Sequence, residues 1–296
     1  MMSNSYLGIS SNSPLRQSGL GVQLLLIALM SSFMFFLGAV CAALLNRCVW
    51  ADAMDKIRIQ QLIQSFVMFV LSPLVLACFL RRTDQSPLNY LSQTKLVPLI
   101  PFVIVLLAIL VSIPFINWFA VFNESFFPPD ELSKSLEHLS RQLLQTDHIS
   151  VFWLNVLVMA LIPAVGEEMY FRGMLQNTFS LHVNPHLAVW LSAVVFSAIH
   201  CQLDAFFPRL LLGAFLGYLL LWSHSLWLPI FAHFINNVSI VAFSFFFPTG
   251  IAGFQLDTIG LHQPVVLFLS VVLTAASVLF LLHYFRQSRD NGRVNL

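Results

Sequence analysis

Charge is what this chain lacks. Lys, Arg, Asp and Glu together make up 9% of its 296 residues, where an ordinary soluble domain carries about a quarter. That scarcity excludes a water-soluble globular surface. The formal net charge is +1 and no basic tract occurs, so nucleic acid is not an expected partner. Cysteine is equally sparse. Cys41, Cys48, Cys78 and Cys201 form no CxxC pair, which excludes a disulfide framework and a thiolate zinc site. The sequence also lacks an internal repeat, a long linker and a second soluble domain. What remains is apolar: 58% hydrophobic residues, 29 of the total being Phe. The composition is that of an all-α, polytopic integral membrane protein whose partner is the lipid bilayer.

A template of about 20 apolar residues gives about eight transmembrane helices. They are expected over 20–45, 59–80, 97–119, 150–175, 187–201, 205–222, 226–247 and 264–285. Residues 1–19 read as a polar cytoplasmic tail, 20–285 as one membrane domain and 286–296 as a basic cytoplasmic tail. Between the third and fourth spans, Leu132, Leu136, Leu139 and Leu143 recur at helical spacing behind Asp130, a plausible N-cap. Lys134, Glu137 and Arg141 occupy the opposite face. This is expected to be an amphipathic helix on the membrane surface. Arg81, Arg82 and Lys95 follow the second span, and Arg286, Arg289 and Arg293 follow the last. The positive-inside rule then places both termini in the cytoplasm, at the plasma (inner) membrane, with Arg47, Lys56 and Arg58 counting against it. On that topology Glu167 is expected toward the cytoplasmic leaflet, with His233 at similar depth and His200 deeper.

The fourth span carries Glu167, Glu168 and Arg172. Three central charges cost roughly 8–10 kcal/mol on the insertion scale, against roughly 4 returned by its apolar residues. Such a helix is tolerable only where the charges meet an interface or a wet, protein-lined cavity, and intramembrane charges mark functional sites. Glu168 and Arg172 are four apart and form an ion pair along their helix. Glu167 points about a quarter-turn away with no internal counter-charge, which suits a general base. Farther on, Phe196 and His200 share a helix face, as do His233 and Asn237.

Glu167-Glu168-x-x-x-Arg172, then Phe196-x-x-x-His200, then His233-x-x-x-Asn237 resembles the motif set of the CPBP family of CAAX-type intramembrane endopeptidases and abortive-infection proteins. The resemblance covers about a third of the chain. It implies an endopeptidase in an eight-helix bundle, acting on a peptide or membrane-protein substrate near the cytoplasmic face. In that reading Glu167 and His200 activate a water, while His233 and Asn237 donate to the oxyanion. Glu168 and Arg172 brace the helix or hold the substrate's carboxyl end. Zinc on Glu167, His200 and His233 is an alternative, although Asn237 is a better hydrogen-bond donor than metal ligand.

Blander readings are available for single residues. Asn236 reads as structural, Arg209 as a cation snorkelling to an interface, and Gly213 and Gly217 as a close-packing surface. Two other classes of function stay open. A proton- or ion-coupled transporter would also use intramembrane acids and histidines. A catalytically idle immunity or partner-binding protein would keep the fold alone.

Overall fold

The computed structural model describes residues 18–45, 52–80, 86–91, 96–250 and 255–290. Arg47, Cys48, Arg81, Arg82, Lys95 and Arg293 lie outside the described residues, as does most of the expected N-terminal tail. Among the described residues every element is helical; besides a short helix, Pro87–Leu91, and two 3-10 turns, they are α1 Leu20–Leu45, α2 Ala53–Leu80, α3 Leu99–Glu124, α4 Glu131–Leu144, α5 Ile149–Ser180, α6 Pro185–Ala198, α7 Phe206–Ser223, α8 Trp227–Phe246 and α9 Pro264–Asp290. Among the described residues seven helices are long and apolar enough to cross a membrane, and α6 is a shorter apolar one. The chain is a polytopic, all-helical membrane protein.

Helix α2 begins earlier than hydropathy suggests. Asp52 caps it by accepting from Met54 N at 3.0 Å. Arg58, in its second turn, is buried because other elements satisfy its guanidinium. Nε donates to Asn155 Oδ1, Nη1 to Asp55 Oδ1 and Nη2 to Leu143 O, each at 2.8 Å. This cluster ties the starts of α2 and α5 to the end of α4.

Two of the helices widen where proline enters them. Pro73 and Pro163 each follow a π-helical turn, Phe66–Leu71 in α2 and Val156–Leu161 in α5. Proline donates no backbone hydrogen bond and its ring collides with the carbonyl four residues back, so the wider turn relieves the conflict. Pro114 in α3 is handled differently: Ser270 Oγ of α9 accepts from Phe115 N at 3.1 Å and donates to Val111 O at 2.6 Å.

The expected surface helix forms as α4. Asp130 Oδ1 accepts from Ser133 N at 2.8 Å, and that backbone hydrogen bond holds its carboxyl below the usual carboxylate range. Its apolar stripe is only partly covered: Leu143 is buried, while Leu132 and Leu136 are exposed. On the polar side Arg141 bridges Glu137 at 2.8 Å and Asp257 at 3.2 Å.

The helix order fixes two poles. One gathers the ends of α1, α3 and α8, the starts of α2, α5, α7 and α9, and all of α4. There Asn123, ending α3, donates to Leu203 O and Asp204 O ahead of α7. The other pole holds the start of α1 and the end of α9, where Arg289 Nη2 donates to Leu221 O.

Candidate active site

Helix α5 places its charges by packing closely on its neighbours. A Cβ on Gly166 would lie 2.9 Å from Phe69 Cβ, so α5 and α2 are in near-backbone contact beside Glu167. On the other flank α6 and α7 meet at glycine: a Cβ on Gly213 would stand 3.0 Å from Phe196 Cδ1, and one on Gly217 2.9 Å from Val189 Cγ1. The Gly213 and Gly217 pair is therefore a close-packing surface, as its spacing suggests. It also exposes carbonyls to α5. Gly213 O accepts from Arg172 Nη2 at 2.8 Å and Gly217 O from Gln176 Nε2 at 3.1 Å.

Glu168 and Arg172 form the expected ion pair, 2.7 Å between Oε1 and Nη1. Both side chains are buried, at 0% and 0% exposure. The guanidinium also lies over the Phe196 ring, 4.7 Å from its centroid. A pair so enclosed braces the bundle. It has no surface with which to hold a substrate's carboxyl end, so of the two roles expected for it only the first is available.

Glu168 Oε1 accepts a second hydrogen bond, from His233 Nδ1 at 2.8 Å. A carboxylate can only accept, so Nδ1 carries the proton and the ring is turned to present Nε2 to Glu167, 3.9 Å from its Oε2. Sequence spacing links Glu168 to Arg172 alone, since the bond to His233 crosses between two helices. His200 is oriented in the same manner. Its Nδ1 lies 2.9 Å from Phe196 O, a carbonyl left open at the end of α6, so Nδ1 donates and Nε2 keeps its lone pair. Phe196 packs edge-on against both imidazoles, with centroids 5.4 Å and 6.0 Å away. One aromatic ring thus fixes the two histidines and the arginine.

Glu167, His200, His233 and Asn237 line one cavity of about 370 Å3. Asn236 and Arg209 line it as well. Asn236, read above as structural, donates to Asn237 Oδ1 at 3.0 Å and leaves the Asn237 amide hydrogens to point elsewhere. Arg209, read as snorkelling, stands in the cavity wall at the start of α7 instead. No sequence signal separates these outcomes, because a cation near a helix end fits both.

The cavity lies in the half of the bundle toward the pole that carries α4. Leu144 and the last turn of α6 line it there, and Glu167 is at mid-helix. His200 ends α6 at the α4 pole, so it is farther from the termini than Glu167.

Among the described residues no three His, Cys, Asp or Glu side chains are grouped so as to hold a metal ion. Both Nδ1 atoms are engaged, so a metal would be bound through Nε2 of His200 and His233 beside Glu167.

Residues 149–239 match the family described as type II CAAX prenyl endopeptidase Rce1-like. The match begins with α5 and ends two residues past Asn237, so it contains all the cavity's polar residues except Gln61 of α2. A Bacillus subtilis (strain 168) protein, "Uncharacterized protein YpbD", is 29% identical over 85 residues, 27% of this chain and 41% of the relative. The chain thus spans about two fifths of the curated relative it matches. No solved structure matches it.

Proposed function

With residues 149–239 belonging to the Rce1-like CAAX-type protease family, we propose that this chain is an intramembrane endopeptidase using a glutamate-activated water. The observation that carries the reading is the shared cavity: the Glu167 carboxylate, with His233 Nε2 3.9 Å away, a lone-pair imidazole nitrogen and an amide donor face one space. A water there donates to Glu167 and to His200 Nε2; Glu167 takes its proton as it attacks the peptide carbon, then passes that proton to the amine nitrogen as the tetrahedral intermediate collapses and the C–N bond breaks. Asn237 donates to the oxyanion, oriented by Asn236. His233 faces the same space, with Nδ1–H held by Glu168 and Nε2 turned toward Glu167. Loss of one such donor costs about 2.7–4 kcal/mol of transition-state stabilisation.

The test is cleavage by the purified full-length chain in detergent or liposomes, with products read by mass spectrometry. Glu167→Gln is expected to abolish cleavage, and Asn237→Ala to lower kcat by about 100- to 1,000-fold with little change in KM. Cleavage by Glu167→Gln at the rate of the unmodified chain would overturn the mechanism. Activity that survives exhaustive chelation is expected. A transporter reading would instead require ion-coupled flux in liposomes without peptide cleavage.

A further inference from the structure

The two fully buried arginines among the described residues, Arg58 and Arg172, come with carboxylates. Arg172 has Glu168 at 2.7 Å and Arg58 has Asp55 at 2.8 Å. Arg209 differs. It lines the cavity of Glu167, His200 and Asn237, and no ion pair within 4.0 Å includes it among the described residues. Nη2 donates to the neutral Gln202 Oε1 at 3.0 Å. Nη1 is buried and has no hydrogen-bond partner. The adjacent acid, Asp204, accepts instead from Ser133 Oγ of α4 at 2.5 Å.

A guanidinium is planar, always charged and shaped to take a carboxylate through two parallel N–H donors. Leaving one of its nitrogens buried and unmatched is unfavourable until an anion arrives. Glu168 and Arg172 are sealed away, so they leave the substrate's carboxylate without a holder, and Arg209 is the cation that reaches the cavity.

We propose that Arg209 binds a carboxylate of the substrate and thereby sets which peptide bond faces Glu167. The proposal rests on the peptidase reading for its ligand being a peptide. The cavity, about 370 Å3, is near the lower end of ligand sites, so the bound carboxylate lies only a short segment from the cleaved bond. Two sources have this chemistry: the free α-carboxylate of a chain end and an Asp or Glu side chain near the cleavage point.

The experiment separates binding from cleavage by using the catalytically silent Glu167→Gln chain. Three apolar, N-acetylated hexapeptides serve as probes: one with a free C-terminus, one amidated, and one amidated with an internal Glu. Binding to full-length protein in nanodiscs is measured by calorimetry. The free acid or the internal Glu peptide is expected to bind at least about tenfold more tightly than the plain amide, and which of them does identifies the source. Adding Arg209→Gln is expected to remove that preference while plain-amide affinity holds, and Arg209→Lys to restore part of it. A chain lacking only a structural support would lose affinity for all three probes together. Equal binding of the three peptides, or a carboxylate preference that survives Arg209→Gln, would overturn the proposal. A preference that depends on Arg209 in a chain whose unmodified form cuts nothing would leave this site standing and remove the peptidase reading.

Discussion

Neighbouring glutamates in this protein do opposite work because a quarter-turn of helix separates them. Glu168 accepts from Arg172 and His233 and is fully enclosed, whereas Glu167 keeps part of its surface on the cavity. Removing one partner of a buried pair strands the other charge, a loss of about 3–5 kcal/mol. Arg172→Met is therefore expected to lower the thermal midpoint by many degrees in detergent, measured by tryptophan fluorescence. Arg172→Met with Glu168→Gln is expected to recover part of that loss, because no lone charge stays buried. A midpoint for the single variant equal to the unmodified protein's would mean that water reaches the pair. The i,i+4 spacing made the ion pair legible in the sequence. It could not show that Glu168 also orients His233, since that bond joins residues 65 apart. Arg209 was illegible for a related reason: whether a helix-end cation snorkels or turns inward depends on whether a carboxylate waits outside.

Elements were more readable than side-chain partners. Hydropathy located each long span because burial in lipid demands an apolar run, and it placed α1 at its observed limits. It started α2 too late because Asp52, Asp55 and Arg58 look like loop residues until Asn155 and Leu143 O satisfy them. Proline marks in the sequence do not say whether a helix will kink or widen. Here α2 and α5 widen two residues ahead of Pro73 and Pro163, with Gly166 allowing them to touch. Gly166→Ala is expected to destabilise by about 1–3 kcal/mol, as overpacking does. It also displaces Glu167, so kcat falls while peptide affinity holds. Unchanged kcat and stability would show that the α2–α5 contact is loose.

Across the whole molecule, the two poles differ in charge. The pole of α4 carries Asp52, Asp55, Asp130, Glu131, Glu137, Asp147, Asp204 and Asp257, whereas the opposite pole ends α9 with Arg286 and Arg289. Lys and Arg govern orientation, and acids contribute little. Sequence adds Arg81, Arg82 and Lys95 to the side of the termini. The α4 side carries Lys56, Arg58, Lys134, Arg141 and Arg209, of which Arg58 is spent in a buried cluster and Arg209 stands in the cavity wall. On the orientation expected from the sequence, with termini in the cytoplasm, the α4 side of the cavity would face the extracytoplasmic side. Single cysteines in a chain freed of its native four decide the matter in intact cells. Glu137→Cys is expected to react with a membrane-impermeant maleimide from outside, and Arg286→Cys only after permeabilisation. The reverse pattern would place the α4 pole, and with it the mouth of the site, in the cytoplasm.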